Sequence, residues 1–278
     1  MIGICRGGCK TVSYTHLEGL KKHYTFLHIT DTHIACFGKT ETAVRAEYAK
    51  ERRRAFSIDG IAPEKRLQTY IEYANEARVS GVLLTGDIID FPSPENLAVL
   101  DDALAALKVP YVYTPGNHDW SYFDNYQTED AVRCCRPLLR RFCGGDEDFH
   151  VRKVGELTFA ALDNSMDVYR PQTDSRLKAL LGSAEHVIIL QHVPLYCDTL
   201  HEDTVKVWKR DITMGQSCIV LDESADRITE LLTAAPSVRA ILCGHLHFSH
   251  EDLVGGVLPQ YITAFGSLGE AALFDIGG

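Results

Sequence analysis

The chain has 278 residues, 45% hydrophobic and 24% charged, with 28 basic against 38 acidic side chains and a formal net charge of −10. That length allows one large domain around a substantial core, while the acidic balance argues against a broad nucleic-acid-binding face, which needs clustered Lys and Arg. No apolar run approaches the roughly 20 residues needed to span a bilayer, and no charged-then-apolar N-terminal signal is visible, so the expected location is cytoplasmic, with no membrane partner.

In chain order, residues 1–22 show no periodic apolar face and are expected to form a leader outside the core fold, with 23–278 as one folded domain. Cys5, Cys9, His16 and His23 miss the usual zinc spacings. The nine cysteines are odd in number and scattered, and they read as free thiols. From Tyr24 onward, apolar runs and amphipathic stretches alternate. Phe26–Ile29, Val82–Leu84, Tyr111–Tyr113, Val187–Leu190 and Ala240–Leu242 read as short buried strands, with further strands at 157–162, 259–264 and 271–275. Helices are expected over 63–79, 94–108, 128–141, 173–182 and 222–234. Pro63 and Pro94 stand near N-terminal boundaries, and Asp222 serves as an N-cap. The pattern is that of a layered α/β domain. The stretch 34–60 is long for a connection and is expected to shape access to a site. Its basic run Lys50-Glu51-Arg52-Arg53-Arg54 reads as a solvated helix face. A second irregular stretch, 195–221, holds Tyr196, His201, Trp208, Lys209 and Arg210.

Each of the five apolar runs ends in a short polar motif: Asp31-Thr32-His33, Gly86-Asp87, Gly116-Asn117-His118-Asp119, Gln191-His192 and Gly244-His245-Leu246-His247. Carboxylate, imidazole and amide oxygen delivered from several strand ends is the ligand chemistry of a two-metal site. Side chains at i and i+2 of a strand share a face, so Asp31 with His33, and His245 with His247, can each converge on one ion. Gly86 leaves room beside Asp87, whose carboxylate has lone pairs on two oxygens and can link two cations. Asn117 offers a neutral carbonyl. His118 is placed to donate a proton, and Asp119 to orient its imidazole. Taken singly, each motif has an ordinary structural reading: a turn aspartate, or a hydrogen-bonded core histidine. Taken together, at five strand ends, they point to a metal centre.

These five blocks resemble those of the calcineurin-like metallophosphoesterases, over nearly all of Tyr24 to Ile276. The resemblance implies a four-layer α-β-β-α sandwich of two mixed sheets flanked by helices. It implies one metal held by Asp31, His33, Asp87 and His247. A second would be held by Asp87, Asn117, His192 and His245, with Asp87 bridging. His118 matches the family's non-ligand histidine near the phosphate and leaving group. The implied activity is hydrolysis of phosphate mono- or diesters by a metal-bridging hydroxide, on a small-molecule ester. The mixed nitrogen and oxygen donors suit two divalent or mixed-valence ions of Mn, Fe, Zn or Co better than Ca²⁺. Two narrower or different expectations stand beside it: a cyclic-nucleotide phosphodiesterase specifically, and a non-catalytic protein-binding scaffold, against which the complete ligand set argues. Trp120, Tyr122 and Phe123 are expected either to stack a base or to pack against the 34–60 stretch.

Overall fold

The computed structural model describes residues 12–16, 20–39, 41–214 and 223–277. Two mixed sheets lie face to face. The first has the order β1 (Val12–His16), β11 (Ala272–Gly277), β2 (Tyr24–Ile29), β3 (Gly81–Leu84), β4 (Tyr111–Tyr113). The second runs β5 (Phe149–Val154), β6 (Leu157–Leu162), β7 (Val187–Leu190), β8 (Val238–Cys243), β10 (Leu258–Ile262), β9 (His250–Val254). In the first sheet β2, β3 and β4 are parallel and β11 runs antiparallel to β2. In the second, β6, β7, β8 and β10 are parallel between antiparallel edges.

The central strands read as unbroken apolar runs because both their faces are covered. Odd and even side chains go to different layers. Phe26, Leu83, Ile188, Leu190 and Leu242 meet Phe159 and Phe274 between the sheets. Leu27, Ile29, Val82 and Leu84 point outward, onto α2 (Pro63–Ala77) and α3 (Pro94–Ala106). Val187, Ile189, Ile241 and Cys243 point outward on the other side, onto α5 (Thr173–Leu181), α6 (Asp198–Trp208) and α7 (Glu223–Ala234). Each fully buried aliphatic or aromatic side chain in these layers contributes about 1.5–3 kcal/mol relative to exposure. Among the described residues no helix is long and apolar enough to cross a membrane.

Several elements depart from the sequence expectation. The helix expected over 128–141 is broken: α4 spans Glu129–Cys134 and a 3-10 turn follows over Arg136–Leu139. Pro137 has no N–H to continue the ladder. The stretch 34–60 contains α1, Ala43–Phe56, capped by Thr42, whose hydroxyl accepts from the Arg45 N–H at 3.2 Å. It buries only Ala49 and Phe56, so no apolar stripe announces it. Likewise α6 lies in the stretch read as irregular. Strands β5 and β9 are edge hairpins; Gly255 and Gly256, both at positive φ, turn β9 into β10. Residues 1–22 were expected to stand apart, yet Val12–His16 pairs in parallel with β11 and Leu20 is buried between the sheets. Asp222, Cys5 and Cys9 lie outside the described residues.

Candidate metal centre

The five motifs leave the carboxyl ends of β2, β3, β4, β7 and β8, and the sandwich brings all five ends together. Convergence does not come from the strand pleat. Asp31 and His33 lie beyond β2, and His245 and His247 beyond β8. Asp31, His33, Asp87, His245 and His247 all have φ between 47° and 70°, making up half of the ten non-glycine residues in that region among those described. Left-handed backbone is unusual for side chains larger than glycine and costs of order 1–3 kcal/mol per residue. Ladder-like bonds hold it: Asp31 N–H to the Gly86 carbonyl at 3.0 Å, His33 N–H to Asp87 at 2.9 Å, Gly244 N–H to His192 at 3.0 Å. Gly86 sits at φ 88°, and a Cβ there would collide with the Gly116 backbone and the His192 ring. The space that Gly86 leaves is therefore taken by the neighbouring loop and the His192 ring.

Two donor sets result. In the first, His33 Nε2 lies 3.1 Å from His247 Nε2, 3.8 Å from Asp31 Oδ1 and 3.9 Å from Asp87 Oδ2, and His247 Nε2 lies 3.3 Å from Asp31 Oδ1. In the second, His192 Nε2 lies 3.2 Å from Asp87 Oδ2, 3.1 Å from Asn117 Oδ1 and 3.3 Å from His245 Nδ1. Asp87 Oδ2 belongs to both. Outer bonds fix the tautomers and aim the lone pairs. His192 Nδ1 donates to the Thr85 carbonyl at 2.7 Å and His33 Nδ1 to Asp90 Oδ1 at 2.8 Å, which turns each Nε2 toward the cluster. Asn117 Nδ2 donates to the Tyr126 hydroxyl at 2.9 Å, so its carbonyl oxygen faces the cluster.

The arrangement fits cations. His33 Nε2 and His247 Nε2, 3.1 Å apart, share a hydrogen bond only when His247 carries its proton on Nε2. The same spacing is an edge of a shell with metal bonds of about 2.1 Å. Asp31 Oδ2 accepts from Thr30 Oγ1 at 2.6 Å and from the His245 N–H at 2.9 Å, while its buried Oδ1 accepts no hydrogen bond among the described residues and lies 3.3 Å from His247 Nε2. Burial works against charge on Asp31, yet His247 and His192 hold its carboxyl at about 2. Burial likewise opposes Asp87, and His192 and His118 keep it well below the usual carboxylate range. Against its own burial, His192 is raised to about 10 by Asp87 and Asp31. A proton there substitutes for the positive charge that the donor set is shaped to receive.

His118 and Asp119 are placed differently from each other. His118 lines the open side of the cluster, and among the described residues no hydrogen bond joins its ring to the Asp119 carboxylate. Asp119 is fully buried, and its oxygens accept the N–H groups of Asp87 at 2.7 Å, Gly116 at 2.6 Å and Ile89 at 3.0 Å. It ties the loops after β3 and β4 into one piece, so the expected orienting role is corrected. The carboxylate facing His118 is Asp90, whose Oδ1 lies 3.4 Å from His118 Nδ1. Sequence reasoning missed Asp90. Its signal was faint: an acid three residues past Asp87 in an apolar context. Asp90 is held in turn by Arg52, through two bonds of 2.6 Å. The run 50–54 is thus only partly a solvated face, since Arg52 and Phe56 turn inward on α1. Phe56 stacks on His33 with ring centroids 4.2 Å apart. Arg52→Ala is expected to weaken retention of the ion bound by His33 by about 10- to 100-fold, the range for removing an outer partner of a ligand. Calorimetric metal titration checks this, and two unchanged affinities would contradict it.

Above the donors opens a cleft of about 320 Å³ whose rim carries Tyr126, Trp208 and Arg210. Trp120, Tyr122 and Phe123 take the packing role. Trp120 is fully buried with its N–H on Ser165, Tyr122 stacks on Phe91, and Phe123 lies 4.3 Å from the Tyr48 ring of α1.

Comparison with known proteins agrees with this geometry. Residues 24–249 match the sequence profile described as calcineurin-like phosphoesterase. The 3',5'-cyclic adenosine monophosphate phosphodiesterase CpdA of Escherichia coli (strain K12) is 22% identical over 223 residues, covering 80% of this chain and 68% of its own. A probable glycerophosphodiester phosphodiesterase GpdQ of Arcobacter nitrofigilis is 22% identical over 236 residues, covering 80% and 71%. In fold, a dimetal phosphatase from Danio rerio superposes with a TM-score of 0.57 at 16% identity, over 87% of this chain and 88% of that one.

Proposed function

The chain belongs to the calcineurin-like phosphoesterase family, and on that premise we propose that this metal-dependent hydrolase of phosphoric esters acts on small phosphodiesters, cyclic nucleotides among them. One observation carries the reading: two convergent donor sets share Asp87 Oδ2 beneath a cleft lined by His118. We assign Asp31, His33, Asp87 and His247 to one ion and Asp87, Asn117, His192 and His245 to the other. The donor chemistry favours Mn, Fe, Zn or Co. Bound there, two such ions supply Lewis acidity toward the phosphoryl oxygens and toward an attacking water. The protein's own groups do the rest. His118, steadied at Nδ1 by Asp90, presents its other ring nitrogen to the cleft, where a proton is delivered to the departing oxygen. Tyr126 fixes the Asn117 amide so that only its oxygen faces the reacting centre. The diester preference is supported by the activities named for CpdA and GpdQ. The free cysteines, Cys143, Cys197 and Cys243 buried among them, support a reducing cytoplasmic setting.

The test is a screen of protein reconstituted separately with Mn²⁺, Fe²⁺, Zn²⁺ and Co²⁺. Its substrates are p-nitrophenyl phosphate, bis(p-nitrophenyl) phosphate, 3',5'-cyclic AMP and glycerophosphoethanolamine. Diesters are expected to show the higher kcat/KM. A consistent monoester preference with every metal overturns the diester reading.

A further inference from the structure

The cleft has walls that the metal chemistry does not require: Tyr126, Gln127, Asp167, Trp208, Arg210 and Ile212. Trp208 ends α6 and stays 37% exposed, while its indole N–H donates to the Leu246 carbonyl at 3.0 Å. That bond, with an edge contact 5.5 Å from the His247 ring, fixes the indole beside one donor set. Tyr126 is 45% exposed and stands beside the other set, its hydroxyl on Asn117 and its ring 6.1 Å from that of His118. Both rings are tethered at their polar tips and keep apolar surface in water, which is unfavourable unless a ligand covers it. Between them Arg210 is exposed and has no hydrogen bond or ion pair among the described residues, and its charge is felt at Tyr126 and Asp167. A glycerol substituent has nothing planar to lay on an indole. A purine or pyrimidine has, and base-on-aromatic stacking is largely indifferent to which base it is.

We propose that this cleft is a nucleoside subsite: Trp208 stacks a nucleobase, Arg210 meets an anionic oxygen of the phosphate, and the protein selects nucleotide over glycerol-type diesters. This rests on the phosphodiesterase reading for turnover but not for binding, so the two are separable. The chain has two tryptophans, and Trp120 is fully buried, so quenching of exposed indole emission reports on Trp208. With the Mn²⁺-loaded full chain, adenosine 5'-monophosphate is expected to quench that emission and, by calorimetry, to bind at least about 10-fold more tightly than glycerol 3-phosphate. Trp208→Leu should erase the preference and raise KM for 3',5'-cyclic AMP by about 5- to 150-fold, a loss several-fold larger than that for glycerophosphoethanolamine. Trp208→Phe loses the same N–H bond but keeps a ring, and should retain most of the preference. Arg210→Ala should weaken both phosphates alike. Equal affinities in the wild type, or equal losses for both ligands in Trp208→Leu, overturn the subsite while leaving diester hydrolysis intact. Selective nucleotide binding without hydrolysis of any diester keeps the subsite and overturns the phosphodiesterase reading.

Discussion

Asp87→Ala is expected to strip both metal positions and to lower turnover by at least about 10³-fold. Its Oδ2 reaches into both donor sets, 3.9 Å from His33 Nε2 and 3.2 Å from His192 Nε2. Transition-state charge stabilisation by a bound cation is worth several kcal/mol, and each ~1.4 kcal/mol is a factor of ten in rate. The fold should survive. Asp87 Oδ1 accepts one backbone bond, from His118 N–H at 2.8 Å, and removing a carboxylate from a buried acidic cluster also relieves its repulsion with Asp31. His247→Ala, by contrast, removes a donor from one set and should deplete one ion. Metal content by mass spectrometry, beside near-ultraviolet circular dichroism, distinguishes the cases. Two ions still bound to Asp87→Ala, with activity kept under limiting metal, would show that the shared oxygen is not a bridge.

His118→Asn is expected to keep both ions and lose about 10²–10⁴ in kcat, the range for general acid–base catalysis. Among the described residues His118 groups with His33 and Asp90, and not with the Asp31–His247 or Asp87–His192 donors. Its ring approaches Asp90 at 3.4 Å and the edge of His33, and it lines the cleft. The loss should grow with the basicity of the leaving group. Alkyl diesters, whose alkoxides depart poorly without a proton, should suffer most, and esters of acidic phenols least. A leaving-group series with metal content measured alongside decides the matter. Uniform losses across the series would reassign His118 as a hydrogen-bond donor to the phosphoryl group. Asp90→Asn should shift the same series in the same direction by a smaller factor, since it acts through the ring.

What the sequence made legible follows from how each feature is encoded. The seven donors were readable because a buried strand that ends in Asp, Asn or His breaks its apolar run at one point, and five such breaks share one chemistry. The layered core was readable for the same reason: Phe26, Leu27 and Ile29 are apolar whichever face they take. Of helix α1 only the run 50–54 was readable as a helix face, because Arg45, Glu47, Arg52 and Arg53 satisfy themselves by pairing and not by an apolar stripe. The orienting role expected of Asp119 falls to Asp90 because adjacency in sequence says little about direction in a turn. Asp119 follows His118 directly but points back into the loops, while Asp90 reaches the ring from another strand end. Of the rings that line the cleft, Tyr126 stands in a connection and Trp208 on the last residue of α6, where no periodicity tells an exposed aromatic from a packed one. Trp120, which looked equally available, is buried.

The seven donors are divided between the two sheets. Asp31, His33, Asp87 and Asn117 follow strands of the first, and His192, His245 and His247 follow strands of the second. Each proposed ion would therefore be gripped from both sides of the seam and act as a removable rivet through the sandwich. A ligand that binds the native state and not the unfolded chain adds RT ln(1 + [L]/Kd), about 2.7 kcal/mol at a hundredfold excess over Kd. The lifetime of the folded protein would then track the free concentration of its metal. Starvation for that metal would thin the population of the enzyme as well as silence it.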